Sequence, residues 1–130
     1  MRLCTENDID EVLGVVRSYV PAGFPYDIED VFLGVLSNKN AVVCMPDDRS
    51  LCLFINIGGG EYDLHAIGTL STTRDAILWM LSNYDGCDMI SWKPATKALR
   101  RLCRIADLRF GSSVGENGRH YFRKDMTCRQ

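Results

Sequence analysis

The sequence predicts an α+β domain in which a mixed sheet carries helices on both faces, and three observations lead to this fold class. The chain has 130 residues, of which 46% are hydrophobic and 25% charged, a composition typical of one globular domain. Its apolar residues change repeatedly between helical spacing and short β-prone runs, in the order β-α-α-β-β-β-α-β-α-β-β. No internal repeat, linker or low-complexity tract interrupts this order, so residues 1–130 are expected to form a single domain.

The N-terminal third is predicted to contain one very short strand and two helices. Leu3 lies in the strand, and Thr5-x-x-Asp8 is a capping pattern that opens a helix over roughly 7–20. A second helix is predicted to start near Asp27, because carboxylates are favourable in a first helical turn. The apolar stripes that the helices bury are Ile9, Val12, Leu13, Val16 and Val20 in the first and Ile28, Val31, Phe32, Val35 and Leu36 in the second.

The middle of the chain predicts a meander of three strands. β-prone runs occupy 41–45, 51–57 and 61–67, with turn residues at 46–50 and three glycines at 58–60 between them. The remaining elements are predicted as a helix near 72–84, a strand at 88–92, a helix near 95–106 and two strands around a turn at 115–118, the last over 120–126.

Composition argues against several classes of function. The formal net charge is −2, so the chain lacks the basic excess that is usual in a nucleic-acid-binding protein. No run approaches the roughly 18 apolar residues that cross a bilayer, so no membrane association is expected. The N-terminal residues show no signal-peptide pattern, and the expected location is the cytoplasm.

The six cysteines are interpreted as buried structural thiols. Their spacing contains no Cys-x-x-Cys pair and no Cys/His set typical of a metal site, so no metal is expected. In a reducing compartment such thiols act as small core hydrophobes. A disulfide, a metal role or a reactive thiol are the alternatives. The residues are Cys4, Cys44, Cys52, Cys87, Cys103 and Cys128.

The element order and three segments resemble the GNAT (GCN5-related N-acetyltransferase) fold family, and most closely its small acetyltransferase-like members encoded by tailed bacteriophages. The segments are Tyr62-Asp-Leu-His65 on the central strand, Ala76-Ile-Leu-Trp-Met-Leu81 on the next helix, and Ile90-Ser-Trp-Lys-Pro-Ala-Thr-Lys-Ala-Leu99 with Leu102-Cys-Arg-Ile-Ala106. The resemblance covers nearly the whole chain and implies a single GNAT-like domain.

The resemblance also implies where acetyl-CoA would bind, namely at the N-terminus of the helix after the central strand. Such a site uses converging backbone N–H groups and close glycine contacts to hold a pyrophosphate. The matching residues are Ile67, Gly68, Thr69, Ser71, Thr72 and Arg74. They include one glycine, lack the family's Arg/Gln-x-x-Gly-x-Gly/Ala pattern and form a shorter stretch. The alternative interpretation is an ordinary helix N-cap made by Ser71 or Thr72.

Further departures concern the final helix. Lys97 stands where active relatives usually have Asn, and the helix offers no Tyr to protonate the leaving thiolate.

A catalytic base is still available, because Glu61, Asp63 and His65 alternate and therefore share one face of their strand. His65 is the first candidate base and Glu61 the second. The alternative is that His65 makes only a structural hydrogen bond.

A basic patch is predicted on one side of the final helix. Its members are Lys97, Arg100, Arg101 and Arg104. The patch is either a solvated face or a docking surface for an acidic protein partner or for phosphates.

Two hypotheses of function follow, and the first is preferred. The first is a GNAT-fold protein that has lost acetyl-CoA binding and acts through a protein partner. In the phage context this would be a phage structural protein, and the role would be virion head assembly in the host cytoplasm or in the virion. The second is an active N-acetyltransferase that uses acetyl-CoA and a primary amine, with His65 or Glu61 as base. The first is preferred because the hydrophobic pattern is intact while the cofactor loop departs from the family pattern.

Overall fold

The order of helices and strands in the computed structural model follows the predicted order throughout the residues that the structure describes, which are 1–20, 23–93, 113–114 and 118–123. The predicted helix near 95–106 and the end of the last predicted strand lie outside these residues. The elements are β1 (Arg2–Leu3), α1 (Ile9–Val16), α2 (Ile28–Ser37), β2 (Ala41–Met45), β3 (Leu51–Gly58), β4 (Glu61–Ile67), α3 (Leu70–Asn83), β5 (Met89–Trp92), β6 (Ser113–Val114) and β7 (His120–Arg123).

The strands form one mixed sheet in the order β1-β2-β3-β4-β5-β7-β6. The meander β2–β3–β4 is antiparallel, as predicted, and β7 lies antiparallel between β5 and β6. Strands β4 and β5 are parallel, which requires a crossover, and α3 provides it. The predicted α+β fold class is therefore confirmed.

The two faces of the sheet carry different helices because side chains alternate along each strand. On β2, Val43 and Met45 pack with α1 and α2, whereas Val42 and Cys44 pack with α3. The first cluster comprises Val12, Val15, Val16, Val43, Met45 and Leu51, and the second includes Phe54, Tyr62, Leu64, Ala76, Ile77, Met80, Leu81, Ile90, Trp92 and Phe122. Helices on both faces of the sheet were predicted and are present.

The capping pattern predicted for the first helix is confirmed, but this helix is shorter than predicted. Thr5 and Asp8 form a reciprocal capping box, in which the Thr5 N–H donates to the Asp8 carboxylate at 2.8 Å. This box closes a 3₁₀ turn at Glu6–Asp8, and α1 proper ends at Val16 rather than near 20. The Asp27 carboxylate caps α2 by accepting from the Asp30 N–H.

The cysteines of the described segments follow the burial prediction. Cys44, Cys52 and Cys87 are buried, Cys4 is half-buried, and all four are free thiols. Burial raises the pKa of the Cys4 thiol to about 11, because a thiolate is disfavoured away from water. Cys103 and Cys128 lie outside the described residues. Among the helices that the structure describes, none is long and apolar enough to cross a membrane.

Candidate functional site

The candidate site lies where the two parallel strands separate. Strands β4 and β5 are in register only at Glu61↔Met89, Tyr62↔Ile90 and Asp63↔Ser91. Strand β4 then continues through Ile67, whereas β5 ends at Trp92. The second half of β4 therefore pairs with β3 on one side but not with β5 on the other. Such a divergence opens an edge at the carboxyl ends of parallel strands, which is where α/β proteins commonly bind ligands.

The predicted polar residues of β4 lie together on the sheet face opposite α3. Tyr62 and Leu64 are buried in the cluster under α3, so Glu61, Asp63 and His65 are directed to the other face. The Asp63 carboxylate is 2.9 Å from the His65 Nε2 atom. The shared face inferred from the alternating sequence is thus realised in the structure.

A hydrogen-bonded network joins these residues to two that sequence reasoning did not select. The Ser91 hydroxyl on β5 donates to the Glu61 carboxylate at 2.6 Å. The Arg119 guanidinium, just before β7, donates to Ser91 Oγ at 2.8 Å and forms an ion pair with Asp63. We call this set of five residues the β4–β5–β7 network. Its hydrogen bonds between different elements join residues that are 28 to 56 positions apart in sequence.

Burial decreases along the network toward His65. Ser91 is completely buried, and the Asp63 and Arg119 side chains are 22% and 21% exposed. The His65 side chain is 61% exposed, so it is the end of the network that solvent or a ligand reaches. Two carboxylates face one guanidinium, which leaves the network with a formal charge of −1 when His65 is neutral. An excess of negative charge favours a cationic ligand.

The connection from β4 to α3 consists of Gly68 and Thr69, and the structure corrects the predicted helix cap. The N-cap is Thr69, not Ser71 or Thr72, and α3 begins at Leu70 rather than near 72. Thr69 Oγ1 accepts from the Thr72 N–H at 3.1 Å, and the Thr69 N–H donates to Thr72 Oγ1 at 3.1 Å. This capping box uses the Thr72 amide, so in this part of the chain the amides of Leu70 and Ser71 are the first-turn donors that remain for a ligand.

Arg74 is the cationic residue of this helix end. Its guanidinium lies 3.4 Å from the Asp75 carboxylate, while its Nε atom is buried and has no hydrogen-bond partner in the described structure. A buried donor without a partner is unfavourable unless a ligand supplies an acceptor. Arg74 and the Leu70 and Ser71 amides are thus a cationic donor and two backbone donors at this helix end. Ile67, the first residue of the predicted set, contributes to the apolar cluster under α1 and α2 instead.

The predicted basic patch and the arrangement of possible metal ligands are the remaining features of the site. Lys97, Arg100, Arg101 and Arg104, the predicted partner-binding residues, lie outside the described residues. Within the described residues, no group of three His, Cys, Asp or Glu side chains is arranged to hold a metal ion.

Two solved structures are similar to this chain over almost its whole length. A mutant of the spermidine N-acetyltransferase SpeG from Vibrio cholerae superimposes with a TM-score of 0.57 at 17% identity, over 97% of this chain and 95% of that chain. A chimera from Vibrio cholerae SpeG and hSSAT superimposes with a TM-score of 0.61 at 14% identity, over 99% and 97% of the two chains. This chain has the GNAT fold. At the level of sequence, no family model matches the chain, and neither does any curated protein.

The GNAT fold gives the local geometry a context. The superpositions cover almost the whole length of this chain. At such low identity the likeness establishes the fold, and activity must be argued from the residues of this chain.

Proposed function

We propose that this GNAT-fold protein is an N-acetyltransferase that moves an acetyl group from acetyl-CoA to an amine. The observation that carries the proposal is the Asp63–His65 pair, which presents an accessible imidazole beside the diverging strands β4 and β5. An imidazole in this position has the chemistry of a general base. The structural neighbours named spermidine N-acetyltransferases support the same reaction class.

The electrostatics favour a cationic acceptor. At neutral pH an aliphatic amine is an ammonium ion, and the β4–β5–β7 network has one negative charge in excess. The same amine must lose a proton before its nitrogen can attack a thioester. A primary amine or polyamine therefore suits the network in two ways: its ammonium form is attracted by the negative charge, and its nitrogen has a proton to give up. Spermidine is the first acceptor to test.

In the proposed reaction, acetyl-CoA supplies the acetyl thioester and the protein supplies position and a proton acceptor. His65 takes a proton from the acceptor nitrogen as the nitrogen attacks the carbonyl carbon. Glu61 is the weaker of the two predicted bases, because its carboxylate already accepts the Ser91 hydrogen bond at 2.6 Å. Its function is better explained as holding Ser91 within the network.

The coenzyme phosphates would be held at the N-terminus of α3. Arg74 would contribute its unpartnered Nε, and the Leu70 and Ser71 amides would add backbone donors at the positive end of the helix dipole. Gly68 and Thr69 would shape this end, with Thr72 held inside the cap.

The deciding experiment combines binding with turnover. Calorimetric titration with acetyl-CoA and with CoA is expected to show micromolar binding, and spermidine or another primary amine is expected to become acetylated. His65→Ala should lower kcat by about 10²–10⁴-fold, whereas Glu61→Gln should lower it less. Arg74→Ala should weaken coenzyme binding, with Arg17→Ala on the exposed end of α1 as the matched control.

The second candidate is the non-catalytic interaction protein, including the virion head-assembly role that the phage resemblance suggests. The observation in its favour is the short Gly68–Thr69 connection, whose capping box already uses one of the amides that a diphosphate would need. In this case the working surface would be the basic patch of Lys97, Arg100, Arg101 and Arg104, facing a protein partner in the host cytoplasm or the virion. No heat of binding at millimolar acetyl-CoA would contradict the acetyltransferase and favour this candidate.

A further inference from the structure

The contact between Asp63 and His65 determines which imidazole nitrogen carries hydrogen. Asp63 Oδ2 lies 2.9 Å from His65 Nε2. An ionised carboxylate can only accept hydrogen bonds, so the nitrogen that faces it must be the donor. A neutral His65 is therefore the Nε2–H tautomer, and its Nδ1 atom carries the free lone pair. The pair is thus arranged as a base with a defined accepting atom.

Asp63 is itself fixed from the opposite side. Its Oδ1 atom pairs with the Arg119 guanidinium, while Oδ2 faces His65, so each carboxylate oxygen has its own partner. Arg119 donates in turn to Ser91, and Ser91 donates to Glu61. Rotation of the Asp63 carboxylate would break both of its contacts, and movement of Arg119 would leave the buried Ser91 hydroxyl with one partner fewer.

From these contacts we infer that Asp63 and Arg119 are positioning residues, which hold His65 as the Nε2–H tautomer so that Nδ1 receives the proton of the acceptor amine. This inference rests on the proposed function for its catalytic part and deepens it by naming the accepting atom. The tautomer itself is a property of the free protein and does not depend on any reaction.

The charges of the network are consistent with proton uptake. Glu61 and Asp63 contribute two negative charges and Arg119 one positive charge, so the network carries −1 with neutral His65 and no net charge once His65 is protonated. Arg119 pairs with Asp63 Oδ1, on the side of the carboxylate away from the imidazole ring.

The bound ammonium ion first gives one proton to water and becomes a neutral amine. The amine nitrogen then forms a bond to the acetyl carbonyl carbon, the carbon–sulfur bond breaks, and the coenzyme leaves as a thiolate. The second proton, which the nitrogen loses as it is acylated, moves to His65 Nδ1, and the resulting imidazolium keeps its Nε2–H bond to Asp63. Water then removes this proton from His65, and solvent protonates the thiolate.

The test reads the tautomer directly by long-range ¹⁵N–¹H correlation NMR of the uniformly ¹⁵N-labelled full chain. The sequence contains two histidines, so His120→Gln assigns the His65 signals. We expect wild-type protein to show the Nε2–H pattern for His65 and Asp63→Asn to show a mixture of tautomers, because an amide can donate as well as accept. Arg119→Met is expected to behave like Asp63→Asn, and Arg119→Lys to keep the wild-type pattern.

The inference is overturned by an Nδ1–H pattern in wild-type protein or by an unchanged pattern in Asp63→Asn. The wild-type spectrum needs no substitution, so a variant that fails to fold does not remove the test. Steady-state kinetics separate the inference from the proposed function. If the reaction occurs, Arg119→Met should lower kcat at least about tenfold with little change in KM, and Arg119→Lys should restore it in part. If no amine is acetylated while the tautomer is as expected, the proposed function fails and the positioning of His65 stands.

Discussion

Gly68 packs against Ser50 so closely that the structure leaves no room for a side chain at position 68. A Cβ atom added to Gly68 would lie 2.6 Å from Ser50 Oγ and 2.8 Å from Ser50 Cβ. Ser50 is buried, at 2% exposure, and the Gly68 φ angle of 140° is one that residues with a side chain rarely adopt. The connection from β4 to the N-terminal end of α3 therefore depends on glycine for both space and conformation.

Substitution of this glycine should destabilise the fold. Gly68→Ala is expected to lower the free energy of unfolding by about 2 kcal/mol, from the contact with Ser50 and the strained φ together. Gly34→Ala on α2 is the matched control, since a Cβ there meets nothing within 4 Å. The control should raise stability by about 0.5–1 kcal/mol. Urea unfolding of both variants measures the difference, and equal effects would contradict the packing described for Gly68.

The identity of the α3 cap can be tested separately. Thr69→Ala should lower the free energy of unfolding by about 1 kcal/mol, because the side chain that accepts from the Thr72 N–H is lost. Ser71→Ala, at an exposed position two residues later, should change it by less than about 0.5 kcal/mol. Thermal and urea unfolding of the two variants provide the comparison, and a larger loss for Ser71→Ala would place the cap where the sequence alone suggested.

The buried hydroxyl of the β4–β5–β7 network should matter for stability. Ser91→Ala removes the donor to Glu61 and the acceptor for Arg119, and is expected to lower the free energy of unfolding by about 1–3 kcal/mol. Ser82→Ala, at an exposed position on α3, controls for the loss of a hydroxyl and should be nearly neutral. Denaturant unfolding near neutral pH compares the two variants. If Ser91→Ala left the free energy of unfolding unchanged, water would have to replace both hydrogen bonds of Ser91.

The half-buried thiol of Cys4 is expected to make the protein less stable at alkaline pH. Burial raises the pKa of its thiol from an ordinary 9.0 to about 11, so the folded state holds the proton more tightly than the unfolded state. The stabilisation is complete below pH 9 and is lost as pH rises through 11. Wild-type protein should therefore lose more stability between pH 9 and 11 than Cys4→Ala. Unfolding curves of both proteins, measured at several pH values in this range, test the direction of the effect. If the free energy of unfolding changed with pH equally in both proteins, Cys4 would make no contribution.

Local patterns in the sequence were sufficient to predict most of the described fold. The apolar spacing of α1 and α2 and the three β-prone runs depend on near neighbours, and these elements are present in the structure. Helix ends were less predictable, because competing side chains can make the same cap. Thr69, Ser71 and Thr72 are chemically alike, and the structure selects Thr69 because its position before the helix lets it pair reciprocally with Thr72.

The candidate site was only half predictable, for a physical reason. Glu61, Asp63 and His65 share a face through alternation alone, which a sequence displays. Ser91 and Arg119 join them through strand register, and no local pattern fixes the register of β5 and β7 against β4. The sequence did contain one indication of the role of Ser91, which carries the lone hydroxyl in the otherwise apolar strand Met89–Trp92. A buried polar side chain of this kind needs a hydrogen-bonding partner.

The parallel pairing of β4 with β5 has a consequence for how the chain folds. Hairpins such as β2–β3–β4 bring together residues close in sequence, whereas β5 reaches β4 through the α3 crossover and β7 pairs with β5 from farther along the chain. Arg119, just before β7, reaches Asp63 across 56 positions of sequence. Closing a loop of this length costs more conformational entropy than closing a hairpin, so the Asp63–Arg119 ion pair is among the contacts that slow the folding of the chain.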